Sequence, residues 1–274
     1  MQNCSQKGVI LNATCVALAE HLCGSVEGFV KQMNKRAADL GLENSNFVNT
    51  NGLPVAKHYS CAYDIGMISK ELMSHEVALP WFISWQEDIK VGLPGKQTKF
   101  TLTNTNRLVR NYSGAIGVKT GFTQDAGYCL SGAAKRDGTT MIGVVLGCET
   151  SDIRFAEMSK LLDYGFANYE TVVIAKQGEK IKKLGVEKGD KKFVWAVSRE
   201  PIGVTVKKGE EKNISKKIIM DEQIKLPVKK GGKIGEIHVY EKEKKIGVCD
   251  LISDKKVEKA SFMKLYIRMM KKLV

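Results

Sequence analysis

Ala115-Ile116-Gly117-Val118-Lys119-Thr120, Tyr128-Cys129-Leu130-Ser131-Gly132-Ala133-Ala134 and Thr139-Thr140-Met141-Ile142-Gly143-Val144-Val145-Leu146-Gly147 are three apolar, β-branched runs set close together. Each is short enough for a strand and too broken by glycine for a helix. Only Lys135-Arg136-Asp137-Gly138 separates the last two, and its Asp-Gly pair suits a tight hairpin. The sheet is therefore antiparallel. Thr98 to Thr103 reads as a further strand before it, and Ser151 to Ala167 as a helix after it.

Upstream the pattern is helical. Residues 12 to 23 read as a buried helix, and Ser25 caps a second one whose Phe29, Val30, Met33, Ala37 and Leu40 recur at helical spacing until Gly41. Asn44 to Lys57, with Asn51-Gly52 and Pro54, is a turn-rich surface loop. Ser60 is expected to cap another helix carrying Ala62, Ile65, Ile68 and Leu72 on one face. Helices on both sides of an antiparallel run give an α+β class, with helices packed on a sheet.

Beyond Tyr169 only short strand-like runs remain: Thr171 to Ala175, Phe193 to Val197, Ile202 to Val206, Lys233 to Tyr240 and Lys245 to Leu251. This part reads as a small all-β domain. Ser261 to Val274 then places Phe262, Tyr266, Met269, Met270 and Leu273 on one side of a helix and Lys264, Arg268, Lys271 and Lys272 on the other. Such a basic amphipathic tail suits a membrane surface, and packing on its own domain is the plainer alternative. The expected organisation is 1–169, 170–258 and a tail at 259–274.

The net charge of +13 sits almost wholly in the second part, since residues 1–169 hold 16 basic and 15 acidic side chains and residues 170–274 hold 27 and 15. Of those 27 cations 25 are lysine, without clustered arginine or interleaved aromatics, which disfavours nucleic acid and leaves anionic lipid or an acidic wall polymer. The seven cysteines are odd in number, lack CxxC spacing and lie mostly in apolar runs. They read as small buried hydrophobes, neither a disulfide framework nor a metal site. No metal or organic cofactor is implied. No run of 18 apolar residues and no signal peptide stands in the chain.

Lys119-Thr120-Gly121, at the end of its strand, is the triplet that serine enzymes interacting with penicillin place beside their acyl-transfer site. Alone it carries little weight in so lysine-rich a chain. Its surroundings carry more: Asn104-Thr105-Asn106, Phe122-Thr123, Ala126-Gly127-Tyr128, and upstream Val16-Ala17-Leu18-Ala19-Glu20 and Asn49-Thr50-Asn51-Gly52-Leu53. In this order the chain resembles the D-Ala-D-Ala carboxypeptidases, the low-molecular-mass penicillin-binding proteins, over nearly its whole length. The resemblance implies the penicillin-binding transpeptidase-like fold, followed by a small β-rich domain and often an amphipathic anchor.

It also implies a serine hydrolase acting on peptidoglycan stem peptides ending in D-Ala-D-Ala, inhibited by β-lactams, outside the cytoplasmic membrane and membrane-associated. In that family a Ser-x-x-Lys serine is acylated, its lysine taking the proton. Carried over residue by residue, Lys119, Thr120 and Arg154 hold the terminal carboxylate, the Phe122 N–H completes the oxyanion hole, and Gly121 belongs to the catalytic triplet. Arg154 lies near the start of a helix, where a cation gains nothing from the dipole, and this tilts its reading from a solvated residue to a functional one.

Two departures stand out. The family's Ser-x-Asn falls on Ile10-Leu11-Asn12, which keeps Asn12 and loses the relay hydroxyl. Its Ser-x-x-Lys belongs several dozen residues upstream, where the chain offers eleven before Asn12. Ser253 to Lys256 and Ser261 to Lys264 match the string, but both follow Lys-Thr-Gly and are chance matches. The expectation is an N-terminally incomplete transpeptidase-like domain with its missing piece before Met1 and no nucleophile. Such a chain is inactive alone, or is a wall- or membrane-surface-binding remnant. A β-lactamase reading ranks lower, because a secreted drug hydrolase has no need of the β-rich domain and basic tail.

Overall fold

The computed structural model describes residues 2–221 and 224–273, with the side chains of 2–11, 267, 269 and 271–273 outside the description. The chain divides into two compact units, Met1–Ala167 and Asn168–Val274.

The first unit opens with helices α1 (Gln2–Cys23) and α2 (Val26–Asp39). The α2 start is as expected: the Ser25 hydroxyl accepts from the Gly28 N–H at 3.0 Å, and Gly41 closes the helix at φ 71°. Two expectations change here. α1 begins ten residues earlier than read, because the isolated Gly8 weakens a helix without ending it. It is also not a buried helix: Ala19 is fully enclosed, but Leu18 and Leu22 are 53% and 63% exposed.

Helix α3 (Ala62–Met73) starts one residue later than Ser60 capping requires. Its cap is the Cys61 thiol, which accepts from the Asp64 N–H. The Ser60 hydroxyl is taken by Ser45 at 2.7 Å, and Ser45 donates to the buried Asp64 carboxylate at 2.7 Å, which also accepts from the Asn44 N–H. The loop from Asn44 is thus tied to the first turn of α3.

The short helix α4 (Leu79–Ile83) leads into a hairpin of β1 (Gln86–Val91) and β2 (Thr98–Thr103), and α5 (Leu108–Asn111) follows. The sequence reading gave β2 and missed β1, whose only apolar residues are Ile89 and Val91. Its register rests on Asp88, paired with Lys99 and bonded by Thr101, which together hold that carboxyl below the usual carboxylate range.

Strands β3 (Ala115–Thr123), β4 (Gly127–Arg136) and β5 (Thr139–Cys148) form a three-stranded antiparallel sheet in that order, and α6 (Ser151–Asn168) packs on it. Asp137 and Gly138 make the expected tight turn, both at positive φ. The central strand β4 is buried from Leu130 to Ala134 because helices cover both of its faces. On one face Ser131 Oγ meets Ser69 Oγ of α3 at 2.6 Å. On the other, Gly132 and Gly143, paired across β4 and β5, leave a hollow that the Met158 side chain fills; a Cβ on either glycine would come within 2.9 Å of its sulfur. Leu108, Leu130, Ala134 and Leu162 complete that core.

The second unit carries the expected all-β character. A five-stranded sheet runs β10 (Ile214–Met220), β11 (Lys233–Glu241), β12 (Lys244–Ser253), β8 (Phe193–Ser198), β7 (Lys180–Gly185), beside a hairpin-like pair of β6 (Tyr169–Ala175) and β9 (Ile202–Lys207). Their apolar faces enclose Val194, Ala196, Ile237, Val239 and Leu251.

The tail forms α7 (Phe262–Leu273). Arg268 donates to the carbonyls of Gly189 and Asp190 at 2.7 and 2.9 Å, and the segment before the helix is zipped to the same loop by Asp190 N–H to Glu258 O and Ala260 N–H to Lys188 O. Arg268 is therefore a clasp to its own domain, not a free cation of the polar face; the side chains of Met269, Leu273, Lys271 and Lys272 lie outside the described residues. No helix among the described residues is long and apolar enough to cross a membrane.

Candidate active site

β3 is an edge strand of its sheet, so one side of its backbone is open to an added strand. Near its end stand the residues singled out above. Lys119 places its Nζ 2.6 Å from the Thr120 carbonyl. Lys119 is exposed at its surface, yet desolvation of its ammonium, with the Arg154 charge next, holds its pKa below the usual lysine value. A charge on Cys15 of α1 would act on Lys119 in the opposite sense. Asn12, one turn before Cys15, lies on the same side of α1.

The Thr120 hydroxyl is almost enclosed and shares a 2.7 Å hydrogen bond with the Thr105 hydroxyl. Thr105 in turn sits in a braced turn: the Asn104 side chain donates to the carbonyls of Phe82 and Ser84 and accepts from the Asn106 N–H. Thr105 was legible only as part of the Asn104-Thr105-Asn106 string; its pairing with Thr120 comes from the fold.

Arg154 is 6% exposed, so the solvated reading is excluded. Its Nη1 donates to the carbonyls of Gly121 and Cys129, both at 3.2 Å, and Nη2 to Ser151 Oγ at 3.2 Å. The guanidinium lies 4.7 Å from the Phe155 ring centre and 5.4 Å from that of Tyr128. Its Nε is buried without a hydrogen-bond partner among the described residues. Burial, reinforced by the Arg107 charge, lowers its pKa. The arginine thus ties β3 to β4 where Lys-Thr-Gly ends and puts a fixed positive charge behind it.

Phe122 is 55% exposed, with its ring 4.3 Å from the cross-strand Tyr128 ring. Lys119, Thr120, Gly121, Phe122 and Arg154 are therefore one cluster, while Asn12 is a half-buried residue of α1. The cysteines depart from their expected burial: among those whose side chains are described, Cys249 alone is fully buried, and Cys15, Cys129 and Cys148 are partly accessible around this cluster.

Comparisons with known proteins agree with this arrangement. Residues 7–150 match the family model D-alanyl-D-alanine carboxypeptidase, and residues 169–259 match Penicillin-binding protein 5, C-terminal domain. The D-alanyl-D-alanine carboxypeptidase DacF of Bacillus subtilis is 37% identical over 96% of this chain and 68% of its own length. DacC of Escherichia coli is 35% identical over 93% of this chain and 64% of its own length, so the chain spans about two thirds of these relatives. Among solved structures, penicillin binding protein 5 from Haemophilus influenzae is 30% identical with a TM-score of 0.63, covering 90% of this chain and 71% of that one. A strand edge bearing Lys-Thr-Gly, an arginine buried behind it, and a β-rich domain after it place this chain in the D-alanyl-D-alanine carboxypeptidase family of penicillin-binding proteins.

Proposed function

We propose that this chain carries the substrate-holding half of a serine carboxypeptidase site for peptidoglycan stem peptides ending in D-Ala-D-Ala. The observation that carries the reading is the unpaired edge of β3, which bears the exposed Lys119 and the Thr120 hydroxyl fixed by Thr105, with Arg154 locked behind. A stem peptide docks along β3 as an added strand. Lys119 and the Thr120 hydroxyl take its terminal carboxylate, and Thr105 fixes the direction of that hydroxyl. Arg154 contributes through its field, with three of its five N–H donors held by carbonyls and Ser151. The Phe122 N–H stands where charge develops on the scissile carbonyl oxygen, and Asn12 closes the cleft from α1.

The 274 residues hold no Ser-x-x-Lys ahead of Lys119, so these residues alone form no acyl-enzyme. A purified chain incubated with benzylpenicillin is expected to keep its intact mass. A stable adduct mapped to a serine shows that the nucleophile has been misplaced. Binding is tested separately by titrating the chain with a stem pentapeptide and with the same peptide amidated at its C-terminus. The free acid should perturb the β3 resonances and the amide should not; equal responses refute carboxylate recognition.

For the tail we propose the surface of an anionic membrane, with residues 259–274 as a basic amphipathic extension of the β-rich domain at 170–258. Phe262 is 82% exposed, and Met263, Tyr266 and Met270 are exposed on the same helix. Sedimentation with anionic vesicles should fall when Phe262 and Tyr266 are both replaced by Ser, and unchanged sedimentation removes this reading.

A further inference from the structure

Three lysines of the second unit gather on one sheet face. On the outward face of β8, Phe193 and Trp195 alternate with the fully buried Val194 and Ala196. β7, the edge strand beside it, pairs Lys183 with Trp195 and Lys180 with Val197. The Lys183 ammonium lies 4.0 Å from the Phe193 ring centre, that of Lys255 lies 4.2 Å from the same centre, and Lys180 stands 5.6 Å from the Trp195 ring. The carboxylate of Asp254, next to Lys255 in the chain, accepts from the Trp195 backbone N–H at 2.9 Å. None of Lys180, Lys183 and Lys255 pairs with a carboxylate among the described residues; what sets them apart is their shared contact with two rings.

Exposed lysines on an edge strand discourage sheet-to-sheet pairing, but that role needs no ordered ammonium groups. Here two rings fix three cations in place, so much of the side-chain entropy that a ligand would otherwise have to freeze is already lost. The fixed charges face outward, unneutralised, and call for a partner that is anionic along its length.

We propose that this face of β7 and β8 docks a phosphodiester-bearing polyol polymer of the cell wall. Lysine ammonium groups bind phosphate as point charges, without the planar fork that arginine uses for carboxylates. Nucleic acid needs bare aromatic faces for its bases, and the Phe193 ring is occupied by Lys183 and Lys255. A bilayer needs apolar groups free to enter it, which α7 offers and this face does not. The proposal is independent of the β3 site, because every residue in it belongs to the second unit.

The test uses the full chain and follows binding of a purified poly(glycerol phosphate), with poly-glutamate and anionic vesicles in parallel. In the triple variant K180Q/K183Q/K255Q polymer binding should weaken about tenfold or more and lose most of its salt dependence, while vesicle sedimentation stays as in the parent. The triple Lys→Arg variant controls for folding and should keep polymer binding to within a factor of about three. Polymer binding unchanged in the Gln variant overturns the proposal. So does a parent chain that binds poly-glutamate as tightly as the phosphate polymer, or vesicle binding that falls together with polymer binding.

Discussion

Replacing Arg154 by Met keeps most of the stem and removes the guanidinium, and the cost can be worked from its partners. Three hydrogen bonds at 3.2 Å disappear, to Gly121, Cys129 and Ser151. Each is worth about 1 kcal/mol net, and the contacts with the Phe155 and Tyr128 rings add about 0.5–2 kcal/mol. Relief from burying a charge returns part of this, on the order of 1–2 kcal/mol, so the expected loss is about 2–4 kcal/mol. Because the chain has two units, the measurement must isolate one of them. Trp81 and Trp85 lie in the first unit and Trp195 in the second, so urea unfolding read by fluorescence in a Trp195→Phe background reports the first alone. Arg154→Lys keeps the charge without the fork and should recover only a minor part of the loss. If Arg154→Met unfolds within about 0.5 kcal/mol of the parent, the arginine is not the tie between β3 and β4 described above.

Three further outcomes follow from the packing and titration. Gly132→Ala drives a methyl against the Met158 sulfur and should cost about 1–3 kcal/mol, Met158→Ala about 2–5 kcal/mol, and the double variant clearly less than the sum, because the new methyl partly refills the hollow; strict additivity in urea unfolding excludes the contact. The Lys119 pKa is lowered in the folded chain, so protonation favours unfolding: the penalty is full below the lowered value, shrinks as pH climbs toward 10.5, and is gone above it. Lys119→Met should therefore be more stable than the parent at neutral pH, with the gap closing at alkaline pH, and a gap that widens with pH contradicts the sign. Ser25→Ala removes the cap of α2 and should cost about 1 kcal/mol in the same unfolding measurement; no loss means the Gly28 N–H finds another acceptor.

What was legible in the sequence depended on which force fixes each element. β3, β4, β5 and α6 are built on apolar periodicity and a tight turn, and the sequence carries both openly. β1 and β7 escaped notice because each presents few apolar residues and owes its place to a neighbouring strand: Asp88 to Lys99 and Thr101, Lys183 to the rings of β8. The α3 start was misplaced by one residue because a thiol at Cys61 caps it while the better-known acceptor, Ser60, is drawn to Ser45. At the site, Lys119-Thr120-Gly121 and Arg154 could be picked out through the resemblance to the carboxypeptidase family. Their partners Thr105 and the Cys129 carbonyl could not, since a hydroxyl pair and a carbonyl contact leave no mark in residue type.

The clasp of Arg268 on two backbone oxygens has a geometric consequence for anything that touches the end of the chain. A helix joined by a loose linker can roll until its oily side meets whatever is near. α7 has no such freedom, because the strap before it is stitched to the loop that Arg268 grips. The heading of Phe262 and Tyr266 is thereby set once, by Gly189 and Asp190. A surface that accepts those rings must accept the five-stranded sheet in a single attitude, the way a keel fixes which side of a hull rides above the waterline.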